Sequence, residues 1–419
     1  MDSVAACERW LEQANIINSS AKSKNKILNK INEINILPSK SKVILMSGTN
    51  GKGTTSLLLE NILQRAGYRI GSFISPHLCH LNERIRVDGK MVTDAIFCRN
   101  FVEVKAACEA DEIPWFSFLF LVALHTFKSL PLDFLIIEVG IGGRFDVTNV
   151  LEPMLSIITT IGLDHMEILG SDREQIGEQK AGIFRASTPA ICGDPQPPQS
   201  VLEQAAKLGT RLFVQARDFN YQQQSGQWSW RGFDKCFTHL PQPSIPLQNA
   251  STALAALTVL ADRIEIKQEA IRAALKYTVA PGRYQVIAQK PRVVCDVAHN
   301  SQAVAHLATN LAAEPSSGKT FVVVAMKLNK AIKASLAEMF LPIDAWFLAE
   351  LNDTVGFVPE AIAYLEAQRQ KIYRATSVIA AFKKAKAMAM ENDRIVVFGS
   401  FRTVQQVFSL FPLLANRIN

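Results

Sequence analysis

The string Gly48-Thr49-Asn50-Gly51-Lys52-Gly53-Thr54-Thr55 has the residue types for binding phosphate. It follows the apolar run Val43 to Met46 and opens an amphipathic stretch, Thr54 to Ala66, that Gly67 closes. Glycines let backbone N–H groups turn toward an anion, and a helix N-terminus adds about half a positive charge. Lys52 is placed to neutralise β- and γ-phosphate oxygens, and Thr54 offers a hydroxyl near the accompanying Mg²⁺. The spacing departs from the usual phosphate loop, because Gly48 and Gly51 are closer together and Gly53 follows the lysine. A purely structural Gly-rich turn is the bland alternative. The strand before, the helix after and the lysine in place weigh against it.

Two further strings put polar side chains where apolar runs end. In Leu135-Ile136-Ile137-Glu138-Val139-Gly140-Ile141-Gly142-Gly143-Arg144-Phe145-Asp146, the Glu138 carboxylate would face the crevice outside the carboxyl ends of a sheet. Mg²⁺, a hard ion, prefers such oxygens. The other reading of Glu138 is a solvated strand end, which the glycines behind it weigh against. Asp146 and Asn149 serve equally well as turn formers. In Thr159-Thr160-Ile161-Gly162-Leu163-Asp164-His165, a lone histidine is commonly structural. Leaving the same sheet edge as Glu138 favours a metal or phosphate role for His165. Ser171-Asp172-Arg173-Glu174 reads as a capping box opening a helix that carries Lys180, which spacing alone places in solvent. Cys295-Asp296-Val297-Ala298-His299-Asn300 and Phe398-Gly399-Ser400-Phe401 repeat the strand-then-polar pattern. Together they would line the rim of a second open sheet, facing the first across a cleft.

The elements that must position these residues alternate. Val43 to Met46, Leu132 to Ile137, Leu155 to Thr160, Val293 to Asp296, Phe321 to Ala325, Ala345 to Leu348 and Ile395 to Phe398 read as buried strands. Thr54 to Ala66, Asp172 to Phe184, Ala250 to Ala261 and Gln302 to Ala312 read as helices between them. Such alternation predicts α/β units with mostly parallel sheets covered by helices on both faces. The turn Ala280-Pro281-Gly282-Arg283 marks a boundary, giving domains over 1–282 and 283–419. Trp228, Trp230 and the polar segment Gln222 to Gln227 suggest a β-hairpin late in the first part.

Composition excludes several classes. The 419 residues are 48% hydrophobic and 20% charged, which sets aside a disordered tail, a collagen-like repeat and a small disulfide scaffold. The longest apolar run, Trp115 to Leu124, is shorter than a membrane-spanning helix requires. A net charge of +7 over this length is mild and suits an acidic small molecule. The one dense basic patch, Lys22 to Lys42, reads as a solvated helix face, so nucleic acid is not expected. Met1 to Gln13 carries Asp2, Glu8 and Glu12, unlike a signal or transit peptide. The seven scattered cysteines form no CxxC pair. A cytoplasmic protein with reduced thiols is expected.

Taken together these segments resemble the folate branch of the Mur ligase superfamily. The resemblance runs from about residue 10 to residue 408. It rests on GTNGKGTT, SPHL (Ser75 to Leu78), NERIRV (Asn82 to Val87), EVGIGGRFDVTN (Glu138 to Asn149), LDH, KAGIF (Lys180 to Phe184), QNASTALAAL (Gln248 to Leu257), PGR, DVAHN and GSF, in the family's order. It implies a P-loop-type ATPase domain joined to a smaller Rossmann-like domain, and ATP-dependent addition of L-glutamate to dihydropteroate and to the glutamyl tail of reduced folates. It further implies that Thr49, Asn50, Gly51, Lys52, Gly53 and Thr54 hold the ATP phosphates. Ser75, Glu138 and His165 match magnesium ligands, with two Mg²⁺ ions expected. Lys180 matches a lysine that becomes a carbamylated metal ligand. Asn249, Arg283 and Asp296 match nucleotide contacts. His299 and Ser400 match positions near the incoming glutamate, with Lys52, Lys180 and His299 carrying the chemistry. Phe116, Phe145, Asp146 and Val147 match the pterin-substrate site. A monomer is expected, with no nucleic-acid or membrane partner. The sequence departs from the family at Ser117, at Phe145-Asp146-Val147-Thr148-Asn149, where the family has L-D-A-T-N, over Ala21 to Asn25, and over Ala325 to Ala331.

Rival readings differ in specific features. A ligase acting on a UDP-muramoyl peptide would need a further domain before the phosphate loop. A P-loop nucleotide switch would need an N-K-x-D guanine motif, which is not present. An inert binding protein would leave a lysine, a glutamate and a histidine on one rim without a reason.

Overall fold

The structure, a computed structural model, describes residues 3–14, 21–37, 41–108, 113–224, 226–327, 331–351 and 357–411. It divides into two compact units, one of residues 1–162 and 166–279, the other of 163–165 and 280–419.

The first unit is built on eight strands: β1 (Lys42–Ser47), β2 (Ile70–Phe73), β3 (Ile85–Val87), β4 (Lys90–Met91), β5 (Phe134–Glu138), β6 (Leu155–Ile158), β7 (Pro189–Cys192) and β8 (Arg211–Val214). Their order is β4-β3-β2-β5-β1-β6-β7-β8. Every pairing from β2 to β8 is parallel, and β3 and β4 add an antiparallel edge. The central strands read as unbroken apolar runs because both faces are covered: Ile44, Leu45, Leu135, Ile136 and Ile157 are fully buried. The apolar run at Trp115 becomes the core helix Trp115–Lys128, apolar nearly all round and packed against Phe73 and Phe101. Among the described residues, no helix is long and apolar enough to cross a membrane.

Three local expectations change. The hairpin around Trp228 is a three-stranded antiparallel sheet of β9 (Phe219–Gln224), β10 (Gln227–Gly232) and β11 (Lys235–Leu240). Its third strand, mostly exposed and polar, gives no alternating signal. The capping box at Ser171 does not close on Glu174. Asp172 caps the helix Arg173–Ala181 by accepting from the Gln175 N–H, while the Glu174 carboxylate accepts the N–H groups of Gln199 and Ser200. Lys180 is not in solvent but 3% exposed, because the last turn of this helix packs under the Gly142–Gly143 loop. The basic patch behaves as a helix face: within Ala21–Glu33, Ile27 and Ile31 are buried and Lys26 is exposed. Residues 38–40 and the side chains of 21–24 lie outside the described residues.

The second unit carries β12 (Gln285–Gln289), β13 (Arg292–Cys295), β14 (Thr320–Val324), β15 (Ala345–Ala349), β16 (Ile372–Ala375) and β17 (Arg394–Phe398). The order is β12-β13-β17-β14-β15-β16, parallel except for the edge strand β12. Arg394 enters β17 almost buried. Its guanidinium donates to the carbonyls of Leu311 and Glu314 at the end of the helix Ser301–Ala313. Within the loop expected over Ala325 to Ala331, residues 328–330 lie outside the described residues.

Trp230 ties the three-stranded sheet to the helix Leu247–Val259, since its indole N–H donates to Ser251 Oγ at 3.1 Å and the ring is fully buried. Trp230→Ala is expected to destabilise the chain by about 3–5 kcal/mol, from the lost burial and the cavity left behind. Urea unfolding followed by far-UV circular dichroism measures this.

Candidate active site

The loop after β1 is held by the residues that follow β6. The Thr49 N–H donates to the Thr160 carbonyl at 2.7 Å, and the Asn50 N–H to Thr160 Oγ1 at 3.1 Å. Thr159 Oγ1 donates in turn to the Asn50 carbonyl at 2.6 Å. Gly51 caps the helix Lys52–Arg65 at φ 86°, a left-handed conformation that glycine adopts without a Cβ penalty. A Cβ there would run into the carboxamide of Asn249, which the helix Leu247–Val259 presents to the loop. The result is a loop whose shape is set on both sides and whose N–H groups open the helix, an arrangement that favours anions.

Strand pairing brings the next group in. β1 and β5 run in register, with Met46 opposite Glu138, so Glu138 ends its strand beside the start of the loop. Its carboxylate is 1% exposed. Oε2 accepts the Ser75 N–H at 2.9 Å, and Oε1 lies 3.9 Å from Lys52 Nζ, which also donates to the Gly48 carbonyl at 2.9 Å. Lys52, Glu138 and Ser75 therefore meet. His165 falls in the short segment 163–165 that groups with the second unit, at φ 50°. Among the described residues, no three or more His, Cys, Asp or Glu side chains converge as a metal cage.

Buried acids shape the flanking loops. Glu83 accepts the N–H groups of Leu78, Cys79 and His80 at 2.8, 2.7 and 2.6 Å, fixing the chain after Ser75. Next to it, the buried Arg84 guanidinium lies 4.8 Å above the Trp115 ring and donates from Nε to His77 Nδ1. Burial lowers Arg84 to about 10, against the pull of Glu138, Glu83 and Glu8. Asp146 is 4% exposed and accepts from the Gly140 and Ile141 N–H groups and from both the N–H and the hydroxyl of Thr148. Burial pushes its carboxyl above the usual range, opposed by those four bonds. The turn-forming alternative thus describes what the Asp146 side chain touches. Asn149 does likewise, donating to the Arg144 and Gly182 carbonyls. Val147 is buried, whereas Phe145 is exposed, and the half-buried Phe116 ring lies under Gly140 and against Phe73.

In the second unit, Asp296 accepts the Tyr284 and Ala298 N–H groups at 2.7 Å each. Burial raises its carboxyl, with Arg283 pulling the other way. The Arg283 guanidinium sits 4.7 Å above the Phe401 ring. Ser400 caps the helix Phe401–Phe408 by accepting the Thr403 N–H at 3.0 Å. His299 Nδ1 is 2.8 Å from the Val297 carbonyl oxygen. Asp164, Glu83 and Arg84 carry no sequence signal beyond the LDH and NERIRV strings that contain them.

A Gly-rich loop closing on a carboxylate in one α/β unit, followed by a smaller, mostly parallel-sheet unit, defines a Mur-type ligase architecture. Residues 282–401 match the family described as Mur ligase, glutamate ligase domain. The dihydrofolate synthase/folylpolyglutamate synthase of Escherichia coli (strain K12) is 37% identical over 368 residues, covering 88% of this chain and 86% of that protein. The solved Escherichia coli FolC in complex with DHPP and ADP matches with a TM-score of 0.90 at 34% identity, over 98% of each chain. A bifunctional folylpolyglutamate synthase/dihydrofolate synthase with Mn, AMPPNP and L-glutamate bound matches at 0.90 and 35%, again over 98% of each. The chain belongs to the dihydrofolate synthase/folylpolyglutamate synthase family.

Gly51→Ala is expected to weaken nucleotide affinity about 10-fold or more, since the loop must shift away from Asn249. Isothermal titration with a non-hydrolysable ATP analogue measures it. Gly209→Ala is the control: it too has a positive φ, 64°, but nothing lies within 4 Å of its Cβ position. It should leave that affinity unchanged.

Proposed function

We propose that this chain is an ATP-dependent ligase that joins L-glutamate to dihydropteroate and to the glutamyl tail of reduced folates, by way of an acyl phosphate. The observation that carries the reading is the meeting of Lys52 and Glu138 at the end of β1 and β5, 3.9 Å apart, in a member of this family. A carboxylate resists attack by an amine because it is resonance-stabilised and its leaving group is oxide. In the first step a carboxylate oxygen of the acceptor attacks the γ-phosphorus of ATP, and the bond to ADP breaks. In the second the glutamate amine attacks the acyl carbon, the bond to phosphate breaks, and the amine proton passes to solvent or a base.

Both reactants are anions, so pre-placed positive charge is the main requirement. Lys52 offsets charge on the triphosphate as ADP leaves, and the N–H groups from Gly48 to Gly53 orient it. Asn249, Arg283 and Asp296 hold the rest of the nucleotide. Phe116, Phe145 and the Asp146–Val147 loop bound the pterin acceptor, and His299 and Ser400 lie toward glutamate. The donor set fits Mg²⁺. This ion takes one or two carboxylates and completes its shell with phosphate oxygens and water, so it needs no closed protein cage. Glu138, with the hydroxyl-bearing Ser75 bonded to it, together with His165 and Lys180, would hold two such ions, which supply charge neutralisation when bound. Lys180 is assigned as a carbamate: its amine adds to carbon dioxide and releases a proton, exchanging a costly buried cation for an oxygen ligand. The protein acts as a cytoplasmic monomer. All seven cysteines are free thiols, as a reducing compartment requires.

Phosphate release from ATP with L-glutamate, comparing dihydropteroate with tetrahydrofolate as acceptor, is expected to show turnover with both. Lys52→Ala is expected to lower that turnover by roughly 10²-fold or more, about 3 kcal/mol at the transition state. Activity within a few-fold of the parent would defeat the reading. Lys180→Ala should lose a comparable factor and recover part of it with added short carboxylates. A carbamate carbon signal from ¹³C-bicarbonate should appear in the parent and vanish in Lys180→Ala.

A further inference from the structure

Asp164 gathers three groups onto one carboxylate. Oδ1 accepts the His165 N–H at 2.9 Å. Oδ2 accepts the Asn300 carboxamide N–H at 3.3 Å and lies 3.4 Å from His299 Nε2. The His299 ring is anchored at its other nitrogen as well, where Nδ1 meets the Val297 carbonyl oxygen at 2.8 Å. A carbonyl oxygen only accepts, so Nδ1 carries the hydrogen of that bond. Two anchors on opposite ring nitrogens fix both the plane and the tilt of the imidazole. Asn300 uses its other end to cap the helix Ser301–Ala313, accepting the Ala303 N–H at 3.0 Å. Asp164 is itself 9% exposed, and a carboxylate that deeply placed is normally committed to partners. These residues all belong to the second unit.

We propose that Asp164 is a positioning residue for the incoming L-glutamate, setting the orientation of His299 and, through Asn300, the start of the helix behind it. The proposal rests on the reading that His299 lies beside glutamate. Nδ1 is taken by the Val297 carbonyl oxygen and Nε2 faces the Asp164 carboxylate, so the ring orients the amino acid from a fixed position.

The test is steady-state kinetics on the full chain, with Asp164→Asn, His299→Ala and the double variant. Asp164→Asn is expected to raise the KM for glutamate about 10-fold, with the KM for ATP and the Mg²⁺ dependence within about twofold of the parent. In the His299→Ala background the same change should add no more than about twofold, because the two residues act as one unit. Effects that multiply would overturn the proposal, and so would a raised Mg²⁺ requirement, which would show Asp164 acting through His165. An unchanged glutamate KM in His299→Ala alone would instead remove the reading of His299 on which the proposal stands. If Asp164→Asn fails to fold by circular dichroism, Asp164→Glu, which keeps the charge but displaces it, decides the question. A glutamate-specific KM rise supports positioning, and parental kinetics refute it.

Discussion

The strand ends of the first unit turn on the buried Glu138 carboxylate and the Lys52 ammonium that approaches it. An isolated carboxylate in an apolar sheet is costly, and the cost falls only if partners are held in place. The in-register pairing of β1 with β5 puts the carboxylate beside the Gly-rich loop. The Ser75 N–H and the Lys52 ammonium are the partners that loop and strand ends supply. A one-residue slip of β5 would turn Glu138 to the other face of the sheet and separate it from Lys52. The apolar strands on either side make such a slip expensive, so the core secures the chemistry without touching it.

The surrounding loops follow a single physical rule. Irregular backbone near a site leaves N–H groups without ladder partners, and they must be satisfied. Here buried acids do it: Glu83 for Leu78 to His80, Asp146 for Gly140, Ile141 and Thr148, and Asp296 for Tyr284 and Ala298. Each acid lies a few residues from the N–H groups it holds, or across a single strand pair. The Thr160 hydroxyl plays the same part for the Gly-rich loop by accepting the Asn50 N–H, while the Thr159 hydroxyl donates to the Asn50 carbonyl.

Much of this was legible in the sequence. The apolar runs that predicted β1, β5, β6, β13, β14, β15 and β17 are the central strands, where burial on both faces leaves a continuous signal. The short strands β2, β3, β7, β8, β12 and β16 were not read, because three to five residues near a sheet edge carry little period. Glycine spacing and a following lysine singled out the turn between β1 and the helix Lys52–Arg65. Spacing alone puts Lys180 in solvent for a physical reason: helical spacing says which side a residue is on, not what the chain later lays over it. Asp164 was passed over because a histidine beside it carries the stronger prior for chemistry, whereas a lone acid after a strand reads as a turn.

The buried acids Asp146 and Asp296 illustrate how one side chain can be spent only once. An ionised carboxylate offers about four lone-pair sites. Asp146 uses four bonds on its own loop, which fixes the shape of that loop and leaves Phe145 exposed beside it. Such use carries a cost. Burial raises Asp146 and Asp296 above the ordinary carboxylate value of 3.8. A raised folded value means that the stability each contributes is full below 3.8 and is lost as pH rises through the folded value. At neutral pH both acids therefore weigh against the fold, and the hydrogen bonds they accept only offset part of that burden. What that cost secures is the backbone at Gly140, Ile141 and Thr148 and at Tyr284 and Ala298, whose N–H groups the two acids hold.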